Sequence, residues 1–132
     1  MKLVFDTNIF IEALRLTPKG VALINYFEKS DYELYVSSVV GFELFAGKSS
    51  KNETQQKAMQ ELLSYFEVQD LTWNVAKRAG ELYRNGTHYM EFPDYIIAAT
   101  ALTIGAQVVT LNRKHFSQIP DLQVFDERKI LS

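Results

Sequence analysis

The chain has 132 residues, the size of a single domain, and 47% of them are hydrophobic and 13% aromatic, enough for a packed core and too much for a disordered chain. It contains no cysteine, which excludes disulfide scaffolds, zinc–thiolate sites and thiol nucleophiles together. Its formal charge of −2 is the wrong sign for a broad basic nucleic-acid surface, so any contact with nucleic acid is expected to be local.

The first seven residues after Met1, Lys2-Leu-Val-Phe-Asp-Thr-Asn8, organise the reading. Leu3 to Phe5 is a short continuous apolar run that stops at a carboxylate, Asp6, and such a run reads as a buried strand of a parallel sheet. Asp6 or Thr7 caps a helix from about Asn8, with Ile9, Phe10, Ala13 and Leu14 at helical spacing. Pro18 and Gly20 are expected to break it, before a second short helix carrying Val21, Ile24 and Phe27. Residues 32–36 form the second strand. Ser38 then caps a helix that Gly47 ends, and Val39, Val40, Phe42, Leu44 and Phe45 make it largely buried, with Glu43 in their midst.

Residues 51–66 read as an amphipathic helix with Ala58, Met59, Leu62, Leu63 and Phe66 on one stripe. Residues 67–71 form the third strand, and Thr72 caps a helix whose apolar face is Val75, Ala76, Ala79, Leu82 and Tyr83 and which Asn85-Gly86 ends. Residues 88–92 read as a loop, and Pro93 suits a first helical position. From Asp94 to Gly105 the chain is apolar nearly all round, the mark of a central, buried helix. Residues 107–111 form the fourth strand, 114–118 a short helix, and 123–125 a short last strand. Strands alternating with helices predict a single α/β domain, a three-layer α/β/α sandwich with a mainly parallel central sheet. No apolar run approaches the ~20 residues of a membrane span. No basic stretch leads into an apolar one at the N-terminus, so a cytoplasmic protein without membrane contact is expected.

In an open α/β sheet, ligands bind in the crevice outside the carboxyl ends of the strands. Asp6 ends the first strand, Glu43 lies early in the helix after the second, and Asn112 lies just past the fourth, two residues after Thr110. Asp94 opens the buried helix and reaches the same rim by a less direct argument. Taken singly, Asp6 reads equally as a helix cap and Asp94 as a favourable charge in a first helical turn. Glu43 is harder to explain that way, because an unpaired buried carboxylate is costly and no Lys or Arg occurs between Leu34 and Gly47. Carboxylates sharing one rim repel unless a positive charge sits between them, and a hard divalent cation is the economical one.

Four blocks carry a resemblance: Leu3-Val-Phe-Asp-Thr-Asn8, Ser37-Ser-Val-Val-Gly-Phe-Glu-Leu-Phe-Ala-Gly47, Pro93-Asp-Tyr-Ile-Ile-Ala-Ala-Thr-Ala101 and Val109-Thr-Leu-Asn-Arg-Lys-His-Phe116. In this order and spacing the chain resembles the PIN-domain ribonucleases, most closely the VapC-like toxins of prokaryotic toxin–antitoxin pairs. The resemblance implies a PIN-like sandwich and metal-dependent endonuclease activity on RNA, with Mg²⁺ or Mn²⁺ as cofactor. It implies Asp6, Glu43 and Asp94 as catalytic and metal-holding residues, and Thr7, Asn8 and Thr110 as their supports. It also implies a homodimer and a cognate antitoxin whose tail reaches the acidic site. The family often has a fourth acidic residue where this chain has Asn112, which would offer an amide oxygen to the metal or hold a metal-bound water, and the number of metals is left open. Glu91 is a compensating candidate, and equally a solvated loop residue.

An acidic protein that binds RNA needs cations near its site. Arg113 and Lys114, beside Asn112, are the first candidates for substrate binding; Lys48 and Lys51 after the Glu43 helix, and Lys77, Arg78 and Arg84, are further candidates, of which the helical ones read more simply as solvated charges. Tyr89 is placed to stack on a base or to pack. His88 and His115 read as surface residues, with phosphate binding the most His115 would do. Two other phosphoryl-transfer families also end a strand in aspartate. Haloacid-dehalogenase-like phosphatases need a second aspartate where this chain has Asn8, and receiver domains order their acidic and lysine residues differently. The remaining alternative is a catalytically inactive PIN scaffold that binds RNA or protein.

Overall fold

A computed structural model describes residues 1–47, 51–86 and 90–131. Three residues singled out in the sequence, Lys48, His88 and Tyr89, lie outside the described residues.

Among the described residues four strands, β1 (Lys2–Phe5), β2 (Glu33–Ser37), β3 (Glu67–Gln69) and β4 (Gln107–Val109), form one wholly parallel sheet in the order β3-β2-β1-β4. Val4 of β1 lies opposite Tyr35 of β2 on one side and Val108 of β4 on the other. Leu3, Val4, Phe5, Val108 and Val109 are fully buried, which is why the run carries no alternation of polar residues: helices cover both faces. The chain moves outward from β1 to β2 and β3, then returns to the far side of β1 for β4. The order therefore reverses between β1 and β4, and a crevice opens at their carboxyl ends.

On one face, Phe5 meets Phe27 at 5.0 Å and Phe66 at 4.9 Å between ring centroids, both edge-on, and Phe10 meets Phe66 at 4.9 Å. Each such pair contributes ~0.5–1.5 kcal/mol beyond its area. Phe10 belongs to α1 (Thr7–Leu14) and Phe27 to α2 (Pro18–Glu28); α4 (Glu53–Leu63) packs on α1 and carries buried Met59. The other face is covered by α6 (Phe92–Ile104), in which every residue from Tyr95 to Ala101 is buried, with α5 (Trp73–Asn85) packed against it. Gly105 ends α6 at φ 71°, a left-handed conformation that glycine adopts without penalty.

Several boundaries differ from the sequence reading, each for a local reason. Pro18 and Gly20 do not break a helix but begin one: Pro18 takes the first position of α2, and Thr17 caps it by accepting from the Gly20 N–H at 3.2 Å. A Cβ on Gly20 would lie 2.3 Å from the backbone of Glu12 and Ala13, so glycine is what lets α2 start this close to α1. Ser37, not Ser38, caps α3 (Ser38–Ala46), while the Ser38 hydroxyl accepts from the Leu71 N–H at 3.1 Å. Helix α3 is also not the buried helix its composition suggests. Of its residues only Val40 and Leu44 are buried, while Phe42 is 73% and Phe45 47% exposed. Helix α4 begins at Glu53, capped by Asn52, rather than at Lys51. Phe92 is already helical, which makes Asp94 the third residue of α6. A separate α7 spans Arg113–Phe116, and α8 spans Arg128–Leu131. The expected last strand shrinks to a single parallel bridge, Val108 to Val124, with the Phe125 N–H donating to the Val108 carbonyl at 2.8 Å.

Candidate active site

Asp6 occupies the crevice between the carboxyl ends of β1 and β4. Its backbone N–H donates to the Val109 carbonyl at 2.9 Å, the last link of the β1–β4 ladder, and its carboxylate then turns into the cap of α1. One carboxylate oxygen, Oδ1, accepts from the Thr7 N–H at 2.8 Å; the other, Oδ2, accepts from the Thr110 hydroxyl at 2.7 Å. Asp6 is 3% exposed and Thr110 fully buried, so both bonds are made out of water's reach, where they fix the carboxylate's orientation firmly. Burial pushes the Asp6 carboxyl above its usual range; the bonds from Thr110 and Thr7 pull it back, and Glu43 pushes it up again.

Thr7 links two acids. Its backbone holds Asp6, and its hydroxyl donates to Glu43 Oε1 at 2.5 Å. Glu43 is half-buried on α3, which packs against both α1 and α6. Asp94, in the first turn of α6, completes the group: its N–H donates to the Glu91 carbonyl at 3.0 Å. Its carboxyl is pushed up to about 7, first by burial and then by the negative charges of Asp6 and Glu43. The three acids proposed from sequence therefore act on one another electrostatically, and among the described residues none is in an ion pair.

The supporting residues divide. Thr7 and Thr110 hold the acids directly; Asn8 is exposed on α1. Asn112 is tied to the site through its backbone, whose N–H donates to the Thr110 hydroxyl at 2.9 Å. Its side-chain Nδ2 lies 2.7 Å from His115 Nδ1; with the amide donating, the neutral imidazole carries its proton on Nε2. Glu91 is exposed at the cap position of α6 and makes no side-chain capping bond there. Arg113 is drawn away from the acids, pairing with Asp126 at 3.0 Å and Glu127 at 3.6 Å, while Lys114 stays exposed. That pairing joins residues thirteen and fourteen positions apart in sequence with no local pattern to announce it. Arg15 was not singled out in the sequence, yet it lines the same cleft as Glu43.

Among the described residues no three His, Cys, Asp or Glu side chains close on a point as a ready-made metal cage. The donor set nevertheless suits a hard divalent cation. Mg²⁺ is commonly held by one or two carboxylates and several waters rather than by an all-protein cage, and the Asp6 and Asp94 carboxyls, both pushed up by burial and by neighbouring negative charge, lack the positive charge such an ion brings. Asp6, Asp94 and Glu43 are the residues that would hold it.

A sequence profile of the PIN domain matches residues 3–122. "Ribonuclease VapC19" of Mycobacterium tuberculosis is 34% identical over 126 residues, covering 93% of this chain and 98% of its own. The "tRNA(fMet)-specific endonuclease VapC" of Salmonella typhimurium is 30% identical over 132 residues, 96% and 98% of the two chains. Among solved structures, the VapBC2 complex of Rickettsia felis bound to a promoter DNA fragment superposes with a TM-score of 0.80 at 28% identity, covering 95% of this chain and 98% of that one. The DNA-bound VapBC of Salmonella typhimurium superposes with a TM-score of 0.77 at 28% identity, over 96% and 98%. The chain belongs to the PIN-domain family, and its α/β/α sandwich is that family's fold. No described helix is long and apolar enough to cross a membrane.

Proposed function

We propose that the protein is a metal-dependent endoribonuclease, the toxin of a VapBC-type toxin–antitoxin pair. The observation that carries this reading is the unneutralised trio of Asp6, Glu43 and Asp94 at the carboxyl edge of the sheet, with the Asp94 carboxyl pushed up to about 7 first by burial and then by the charges of the other two. Relatives named as ribonucleases, aligned over nearly the whole chain, support RNA as the substrate. Structures titled as VapBC complexes support an antitoxin partner.

Mg²⁺ or Mn²⁺ bound here would supply a Lewis acid that lowers the pKa of water and offsets the charge that builds on a phosphodiester under in-line attack. The chain's own residues prepare the place. Thr110 and the Thr7 N–H hold the Asp6 carboxylate in one orientation, and the Thr7 hydroxyl does the same for Glu43. With its carboxyl pushed up to about 7, Asp94 is about half protonated at neutral pH while no cation is present, and a bound positive charge would favour its ionised form. Lys114, exposed next to the Asn112 turn, is free to meet a substrate phosphate; Arg113 reaches one only by leaving Asp126.

A homodimer is supported by an apolar surface between α5 and α6. Leu71, Tyr83 and Phe92 line a groove of about 460 Å³ floored by Tyr95 and Ile96, and Trp73, the first residue of α5, is 85% exposed. Exposed apolar area of this kind marks association surfaces. One feature favours a second reading, an inactive PIN scaffold: Asn112 presents an amide, engaged with His115, where a further acid would strengthen the metal site.

The deciding experiment is cleavage of a mixed structured-RNA pool with Mg²⁺, Mn²⁺ or EDTA, beside Asp94→Asn purified identically. Cation-dependent cleavage that disappears in the variant is the expected result. Equal cleavage by both proteins would trace the activity to a contaminant, and cation binding without cleavage of any RNA would favour the inactive scaffold.

A further inference from the structure

A cleft of about 370 Å³ opens beside Glu43, in the size range of small-ligand sites (~300–1,000 Å³). Ile11 and Leu14 of α1 and Leu44 of α3 give it apolar walls, and Arg15 and Gln55 stand at its exposed lip. It is continuous with the acids through Glu43, which Thr7 holds at the start of α1, while Arg15 stands at the end of the same helix. Helix α1 has eight residues and so spans about 12 Å at 1.5 Å per residue, a distance that a short stretch of extended RNA bridges.

Resting on the ribonuclease reading above, we infer that this cleft receives one unstacked nucleotide flanking the cleaved bond. Arg15 holds its phosphate, the apolar walls take the faces of its base, and Gln55 reads the base edge. Three observations carry this assignment. Single-stranded RNA is recognised by splaying a base against apolar or aromatic surface and bonding its edge, and the cleft offers that combination. The lip charge is of the right sign: Arg15 has no ion-pair partner among the described residues, and a guanidinium suits phosphate. The protein carries net charge −2 and commits Arg113 to Asp126 and Glu127, so a cation lining the cleft that Glu43 also lines fills a need that the catalytic trio creates.

The test uses short single-stranded RNAs that differ only in the bases flanking the cleaved bond, with the full chain, Arg15→Gln and Gln55→Ala. Both side chains are exposed, so neither change threatens the fold. Arg15→Gln is expected to raise KM about tenfold, as loss of a charge-assisted phosphate contact does, with kcat within about twofold of wild type. The slope of log affinity against log salt should fall by about 0.7, one phosphate's share on a single strand. Gln55→Ala should flatten the base preference at one flanking position. Unchanged KM, salt slope and preference in both variants, while the wild type still cleaves, would overturn the inference and leave the nuclease reading intact. Variants normal on RNA but weakened in binding an inhibitory protein would assign the cleft to a protein tail and overturn it equally. A wild type with no cation-dependent cleavage would remove the parent reading, and this one with it.

Discussion

Two groups of carboxylates in this small domain have opposite electrostatics. Asp126 accepts from Arg128 at 2.8 and 2.9 Å and pairs with Arg113 at 3.0 Å, and these guanidinium contacts hold its carboxyl well below the usual range. Asp6 and Asp94 are pushed the other way, by burial and by neighbouring negative charge, from Glu43 on Asp6 and from Asp6 and Glu43 on Asp94, and no described cation meets them. The first group is self-sufficient: it fastens the C-terminal segment to the turn after β4. The second has no positive partner among the described residues. The difference comes from position. Asp126 lies on the surface within reach of two arginines, whereas the crevice between β1 and β4 brings acids together from three separate elements.

That contrast can be broken at its strong end first. Asp94→Asn is expected to reduce RNA cleavage by at least about 100-fold, since cation-based stabilisation is worth several kcal/mol and each 1.36 kcal/mol is a factor of ten. The same variant should melt no lower than wild type in EDTA, because it removes a repelling charge; a large loss of stability would mean that Asp94 is structural. Thr110→Val keeps the shape and removes the hydroxyl that holds Asp6. It should cost about 1–3 kcal/mol of stability, from an unsatisfied buried carboxylate oxygen, and about 10–100-fold in metal affinity, measured by denaturant melts and metal titration.

The pH dependence separates the two groups by sign. Asp94 titrates near 3.8 when unfolded and at about 7 when folded without a cation. Below about pH 4 it is protonated in both states and has no effect; as pH rises toward 7 the unfolded chain releases its proton first, so stability falls across that window. Melting temperatures in EDTA should show this fall, and Asp94→Asn should remove it. Asp126, whose folded value is depressed, works in reverse: its contribution is present above about pH 4 and lost as pH drops below. The smallest expected effect is that of Asp126→Asn near neutral pH, a slight lowering of the melting temperature that added salt screens away.

The sequence revealed most where one residue carries the signal. The run Leu3-Val-Phe ending at Asp6 announces both the central strand and the site because a strand buried on both faces needs no polar alternation. Helix α6 was legible for the same reason. Glu43 is legible as unusual, but its helix is less buried than its composition implies: its neighbours Phe42 and Phe45 are apolar and exposed, and composition cannot tell a core face from an outward-facing one. The Thr7–Glu43 bond and the commitment of Arg113 to Asp126 and Glu127 join residues far apart in sequence, and no local pattern encodes them. Arg15 was passed over because a lone arginine at a helix end reads as solvated until the cleft beside it is seen.

If the unpaired acids at the edge of β1 hold a divalent cation, binding it must stabilise the fold. The most direct measurement is the melting temperature of the full chain at neutral pH as Mn²⁺ is added, for wild type, Asp6→Asn and Asp94→Asn. A saturable rise is expected in the wild type, equivalent to about 2.7 kcal/mol at 100 times the dissociation constant. Both variants should stay flat over the same range. An equal rise in all three, or none in the wild type, would contradict cation binding by these acids.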